Sequence, residues 1–273
     1  MPGNSVFWNC ERARRGELLY YFIIKKDLHM KRSVIITGAS RGIGRAIAEV
    51  MASNGFHVLI NYNRSEDAAV ELKEKLIRQG FSADIFKADV SKRCEVDKMV
   101  DYCLDRFGTV DILVNNAGVS QSKLFTDITE EDWNMMVDIN LKGAFNCTQS
   151  ILKYLIPKKK GKIINISSIW GITGASCEVH YSAVKAGLIG LTKALAKELG
   201  PSNIQVNCIA PGVIQTDMLS EFTEDDLNVL KENTPLMRLG TVWDIAACAA
   251  FLVSEGADFI TGQVISPNGG FVI

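Results

Sequence analysis

The sequence predicts an α/β protein built on a doubly wound parallel sheet, in a single domain. Three observations predict it. Short apolar, β-branched runs recur along the chain, each followed by a stretch with helical spacing. Strands that read as uninterrupted apolar runs belong to a sheet covered on both faces. No repeat, low-complexity block or Pro/Ser-rich linker divides residues 31–273.

Each element follows from its residues. Residues 33–36 form the first strand, and residues 42–53 carry Ile43, Ile47 and Val50 at helical spacing. Residues 58–60 are the second strand. Ser65 is then placed as an N-cap, with Glu66 and Asp67 in a first turn where the helix dipole favours acids. That helix is expected to stop near Gly80. Residues 83–87 are a strand and residues 92–107 a helix. Further strands are expected at 112–114, 162–166 and 205–209, separated by long helical stretches, one of them beginning near Glu130.

Residues 1–29 differ from the rest. They have no clear period and mix Trp8 and Cys10 with Arg12, Arg14 and Arg15. They read as a poorly ordered N-terminal extension, with the folded domain at 30–273. Lys and Arg total 30 against 31 Asp and Glu, a net charge of 30 − 31 = −1, which argues against a nucleic-acid partner. The longest apolar run near the N-terminus, residues 18–24, is far short of the ~20 residues that span a bilayer, so no membrane association is expected. Seven cysteines without a C-x-x-C pair, beside three histidines, suggest neither a disulfide framework nor a metal site. Free thiols fit a reducing, cytoplasmic setting.

The turn after the first strand reads Thr37-Gly38-Ala39-Ser40-Arg41-Gly42-Ile43-Gly44, a G-x-x-x-G-x-G spacing. Glycines between a strand and a helix let backbone N–H groups approach a pyrophosphate at the positive end of the helix. Dinucleotide binding in a Rossmann-type sheet is the reading this placement supports. The second strand ends Asn61-Tyr62-Asn63-Arg64, without a carboxylate to accept ribose hydroxyls. Arg41 and Arg64 are available to pair with a 2′-phosphate, which favours NADP(H).

Tyr181 and Lys185 stand four residues apart, on one face of the helical stretch after the fifth strand. A free tyrosine, with a pKa near 10, is a poor proton donor at neutral pH, and a nearby cation is expected to lower that value. Ser168 closes the fifth strand, at the carboxyl edge where parallel sheets bind ligands, and Asn115-Asn116-Ala117-Gly118 follows the fourth strand at the same edge.

With these features the chain closely resembles the short-chain dehydrogenase/reductase family. The resemblance rests on residues 37–44, Asp89, residues 115–118, Asn140, Ser168, the Tyr181/Lys185 pair and Pro211-Gly212, in the family's order across residues 31–273. Within the family it is most like the 3-oxoacyl-[acyl-carrier-protein] reductases, implying NADPH-dependent reduction of a carrier-linked 3-oxoacyl thioester. By that resemblance Tyr181 protonates the substrate carbonyl oxygen, Ser168 hydrogen-bonds it, and Lys185 binds the nicotinamide ribose. Asn140 holds a water that links Lys185 to solvent. Asp89 and Val90 border the adenine, Asn116 the central ribose, and Ile214 with Thr216 the nicotinamide amide, with Ala117 and Gly118 also in the cofactor set. The cofactor set is completed by Gly38, Ser40, Arg41, Gly42, Ile43, Gly44, Asn61, Asn63 and Arg64.

The resemblance further implies a homotetramer, a lid within residues 220–234, and acyl carrier protein docking at Lys159. A second basic docking position appears here as Ser202. Residues 174–180, Gly-Ala-Ser-Cys-Glu-Val-His, depart from the Gly/Asn/Gln-rich stretch of those reductases, and Trp170 follows Ser168 closely. Glu178 reads either as an ordinary loop carboxylate or as the partner of a cationic substrate group. The latter would suit an aminoketone-modified lysine of a translation factor. A sugar or steroid alcohol dehydrogenase and a dinucleotide-sensing protein are the other readings. His180 is expected to be packed or solvent-facing.

Overall fold

A computed structural model describes residues 32–219 and 222–273, so the expectation for residues 1–29 lies outside the described residues. Seven strands form one parallel sheet in the order β3-β2-β1-β4-β5-β6-β7. They are β1 (Ser33–Ile36), β2 (His57–Tyr62), β3 (Ala83–Lys87), β4 (Ile112–Asn115), β5 (Gly161–Ile166), β6 (Ile204–Ile209) and β7 (Val264–Ile265). The apolar runs explain the order of burial. Val34, Ile36, Val58 and Ile60 point to one face and Ile35, Leu59, Leu113 and Ile163 to the other, all essentially inaccessible.

The first face is covered by α1 (Gly42–Ser53), α2 (Glu66–Arg78) and α8 (Val242–Val253), through Ile47, Met51, Leu72, Ile245 and Leu252. The second is covered by α3 (Arg93–Phe107), α5 (Gly143–Lys158) and α6 (Val179–Leu199), through Met99, Ile151, Leu155 and Leu199. The helices α4 (Glu130–Val137) and α7 (Glu224–Glu232) are each opened by a reciprocal capping box, Thr129/Asp132 and Thr223/Asp226.

Three differences from the sequence reading have physical causes. β2 is longer than its apolar run because His57, Asn61 and Tyr62 also pair in register with neighbouring strands. The two-residue β7 has too short a signal to be seen; it exists because Val264 and Ile265 pair with Cys208 and Ile209. The helical stretch from Glu130 is not continuous: a π-turn over Asp138–Lys142 separates α4 from α5, and Asn140 lies in it. Such bulges rotate the following side chains relative to a regular helix and are frequent at functional sites.

The sheet order reverses between β1 and β4, which pair as Ile36↔Val114. The crevice outside their carboxyl ends is the topological switch point. Among the described residues no helix is long and apolar enough to cross a membrane.

Candidate active site

The glycine turn leaves β1 at this crevice. Gly38 adopts φ +61°, and a Cβ there would stand 2.9 Å from Ala117 Cα, so the turn requires glycine on both counts. Its N–H donates to Asn61 Oδ1 (3.1 Å), while the Asn61 amide donates to the Ala88 carbonyl (3.0 Å). Asn61 is therefore a buried brace behind the turn. Asn116 plays the same part from β4: its Nδ2 donates to the carbonyls of Thr37 (2.9 Å) and Gly38 (3.0 Å). Thr37 Oγ1 accepts from the N–H groups of Asn116 and Ala117, both at 3.0 Å. Sequence reasoning gave Thr37 no task beyond its place in the motif.

Beyond the turn, Ser40 and Gly44 are buried and Gly42 and Ile43 are half-buried at the start of α1. No side chain caps this helix and its first turn holds no acid, which leaves a positive N-terminus facing the crevice. These residues fit the pyrophosphate of a nicotinamide dinucleotide. Asn63 and Arg64 are exposed at the tip of β2. Arg41 is exposed and stands 3.6 Å from Asp217, across the crevice. Thr216 lies beside it, its methyl 3.8 Å from where a Cβ on Gly42 would be, and Ile214 is buried behind. Asp89, half-buried, accepts from the Ser91 N–H (3.0 Å) and hydroxyl (2.7 Å), and Val90 packs on Gly143.

The second half of the crevice gathers Ser168, Tyr181, Lys185, Asn140 and Gly118. Ser168 follows β5 and is buried. Tyr181 and Lys185 lie on the first turns of α6, with Lys185 Nζ 5.4 Å from the centre of the Tyr181 ring. Lys185 Nζ donates to the Ile166 carbonyl (2.9 Å). A Cβ on Gly118 would come within 2.6 Å of Asn140 Oδ1 and 3.4 Å of Lys185 Nζ, so only glycine lets β4's loop pass between them. Asn140 Nδ2 donates to the Met136 and Val119 carbonyls, and its Oδ1 accepts from the Val119 N–H at 3.2 Å. One lone pair of Oδ1 is left for a further partner.

The electrostatics correct one expectation. The Tyr181 hydroxyl is not depressed by Lys185 here: burial, reinforced by the charge of Glu178, pushes it up to about 12, with Ser168 acting the other way. Lys185 faces a carbonyl rather than the phenol, and its own burial pushes the amine down to about 8. Cys208, buried on β6, has its thiol pushed up to about 11, which makes it unreactive.

His180 is fully buried, and burial lowers its pKa. Glu178 precedes α6, half-buried, without a capping hydrogen bond and, among the described residues, without an ion pair, and desolvation raises its pKa. Trp170 meets Phe271 edge to face at 6.0 Å, beside Ser168. Lys159 caps α5 in a left-handed conformation, at the amino end of β5. A six-residue strand spans ~20 Å, so Lys159 and Ser202 stand at the sheet edge opposite Tyr181.

The fold and this crevice define a class. Residues 32–227 match the family model of the short chain dehydrogenases, and the chain belongs to that family of oxidoreductases. Among curated proteins it is similar to the 3-oxoacyl-[acyl-carrier-protein] reductase FabG of Staphylococcus epidermidis, 43% identical over 241 residues, which cover 88% of this chain and 99% of the relative. The FabG reductase of Staphylococcus aureus is 40% identical over 243 residues, covering 89% and 99%. The uncharacterized oxidoreductase YmfI of Bacillus subtilis is 41% identical over the same length, with the same coverage.

Proposed function

We propose that this protein reduces the ketone of a 3-oxoacyl thioester carried on acyl carrier protein to the 3-hydroxyacyl thioester, with NADPH as reductant. The observation that carries the reading is the placement of the Tyr181 phenol beside Ser168, with the buried Lys185 amine 5.4 Å from its ring centre, at the edge where the glycine turn opens. Kinship with FabG reductases over nearly their whole length supplies the substrate class. When bound, the nicotinamide would supply hydride for the carbonyl carbon. Tyr181 transfers its proton to the carbonyl oxygen, so the C=O becomes CH–OH. Ser168 donates to the same oxygen and stabilises its developing charge. Lys185 and Asn140 hold the ribose side of the crevice, and Arg41 and Arg64 pair with the 2′-phosphate. Tyr181→Phe is expected to bind NADPH as the parent does and to lose turnover of acetoacetyl thioester, followed by loss of NADPH absorbance; turnover near the parental rate overturns the mechanism.

A second reading is favoured by Glu178. Among the described residues its half-buried carboxylate has no counter-charge, and it acts on Tyr181, which suits a ketone bearing a remote ammonium group. A substrate panel of acyl thioesters against aminoketones separates the two.

A further inference from the structure

Beside Tyr181 a chain of polar side chains runs from α4, through the loop after β4, to the first turn of α6. The Asp132 carboxylate accepts from Lys123 Nζ (2.6 Å) and from Gln121 Nε2 (3.0 Å). A carboxylate only accepts, so Asp132 fixes which end of the Gln121 amide faces it. Gln121 Oε1 is thereby turned to His180 Nε2, at 3.2 Å. An amide oxygen also only accepts, so His180 carries its proton on Nε2 and leaves Nδ1 bare. Among the described residues Nδ1 is buried without a partner, in agreement with that tautomer. The same loop is tied a second time, by the Lys123 N–H donating to the Cys177 carbonyl at 2.8 Å. The two ties grip the chain on either side of Glu178, one of them at the residue next to Tyr181.

We propose that His180 is a positioning residue for the proton donor: as the neutral Nε2–H imidazole it clasps the loop at 119–124 to the start of α6, and protonation at Nδ1 opens the clasp. The inference rests on reading Tyr181 as that donor. Protonation leaves the Nε2–H donor in place but puts a second N–H, and a charge, where no acceptor among the described residues faces it, and solvating them requires the clasp to open. Asp132 on α4 favours the imidazolium and Lys123 on the loop opposes it, while Glu178, just before α6, and Tyr181, on it, are the ionisable neighbours along the chain. Burial outweighs Asp132 and holds the ring below the ordinary histidine value of 6.5.

The test is steady-state NADPH oxidation by the full chain with a 3-oxoacyl thioester, from about pH 5 to pH 8, a span centred on histidine titration. The parent protein is expected to lose kcat on the acid side with its KM for NADPH unchanged. His180→Gln, whose amide donates to Gln121 Oε1 and does not titrate, keeps kcat within about twofold at neutral pH and loses the acid fall. His180→Leu and Gln121→Met, which cut the bond from either side, lower kcat roughly tenfold through misplacement of the donor. An unchanged acid fall in His180→Gln, or parental kcat in Gln121→Met, overturns the clasp. Nitrogen NMR of the histidine rings, with His180 assigned by its loss in His180→Gln, tests it even where no ketone is turned over: an Nδ1–H tautomer at neutral pH refutes it. Full turnover by Tyr181→Phe refutes the donor reading instead.

Discussion

Tyr181 is placed where a donor of protons is better served than an acceptor. With its hydroxyl pushed up to about 12 by burial and by Glu178, the phenol keeps its proton throughout the neutral and mildly alkaline range. On the proposed mechanism, ketone reduction is therefore expected to stay level from neutral pH to about pH 10, the ordinary tyrosine value, while the reverse oxidation, which would draw on the phenolate, rises with pH. Initial rates in both directions check this, and a reduction rate that falls with a midpoint near neutrality contradicts it. Gly118 is the second residue whose identity is dictated by its surroundings. Gly118→Ala drives a methyl to 2.6 Å from Asn140 Oδ1 and toward Lys185. Overpacking of this kind costs about 1–3 kcal/mol, readable as a lower urea midpoint together with a fall in turnover.

Elements are held in place by ion pairs as well as by the two apolar faces. Asp84 on β3 accepts from Lys73 of α2 (2.6 Å), from Arg106 of α3 (2.8 Å) and from the Tyr102 hydroxyl (2.9 Å), so one carboxylate anchors two helices to the outer strand. Desolvation opposes ionisation, yet the combined donors hold Asp84 down at about 2. The folded value is below the unfolded one, so this stabilisation is complete above the ordinary aspartate value of 3.8 and is lost as pH falls toward 2. Asp84→Asn is expected to lose about 2 kcal/mol at neutral pH and to flatten the acid limb of stability; an unchanged acid limb in chemical denaturation contradicts the assignment. The elements were unequally legible. Gly42–Ser53 announced itself through the apolar spacing of Ile43, Ile47 and Val50, and Glu66–Arg78 through its first-turn acids and Gly80. The π-turn at Asp138–Lys142 did not: its Asn140 is held by the carbonyl of Val119, on a separate loop, and local spacing does not show that contact.

For the whole molecule, the crevice between β1 and β4 and the uncapped end of α1 link folding to cofactor binding. A ligand that binds only the folded chain adds about 2.7 kcal/mol at a hundredfold excess over Kd. NADPH is expected to raise the thermal midpoint more than NADH at equal concentration, and Arg41→Ala with Arg64→Ala to erase the difference. Equal shifts by both nucleotides in the parent protein remove the 2′-phosphate assignment.

The sequence by itself determined the layered fold, because alternation of apolar strands and amphipathic helices depends on residues near one another in the chain. It also marked Thr37–Gly44, Ser168, Tyr181 and Lys185, whose spacing along strands and helices places them at one edge. Only the tertiary structure decided how those groups are charged and what supports them. Burial and orientation placed Lys185 on a carbonyl, raised the Tyr181 hydroxyl and put Asn61 and Asn116 behind the turn. They also linked Asp132, Gln121 and His180 across three elements. Solvent exclusion and long-range hydrogen bonding set those properties, and neither is a function of local spacing.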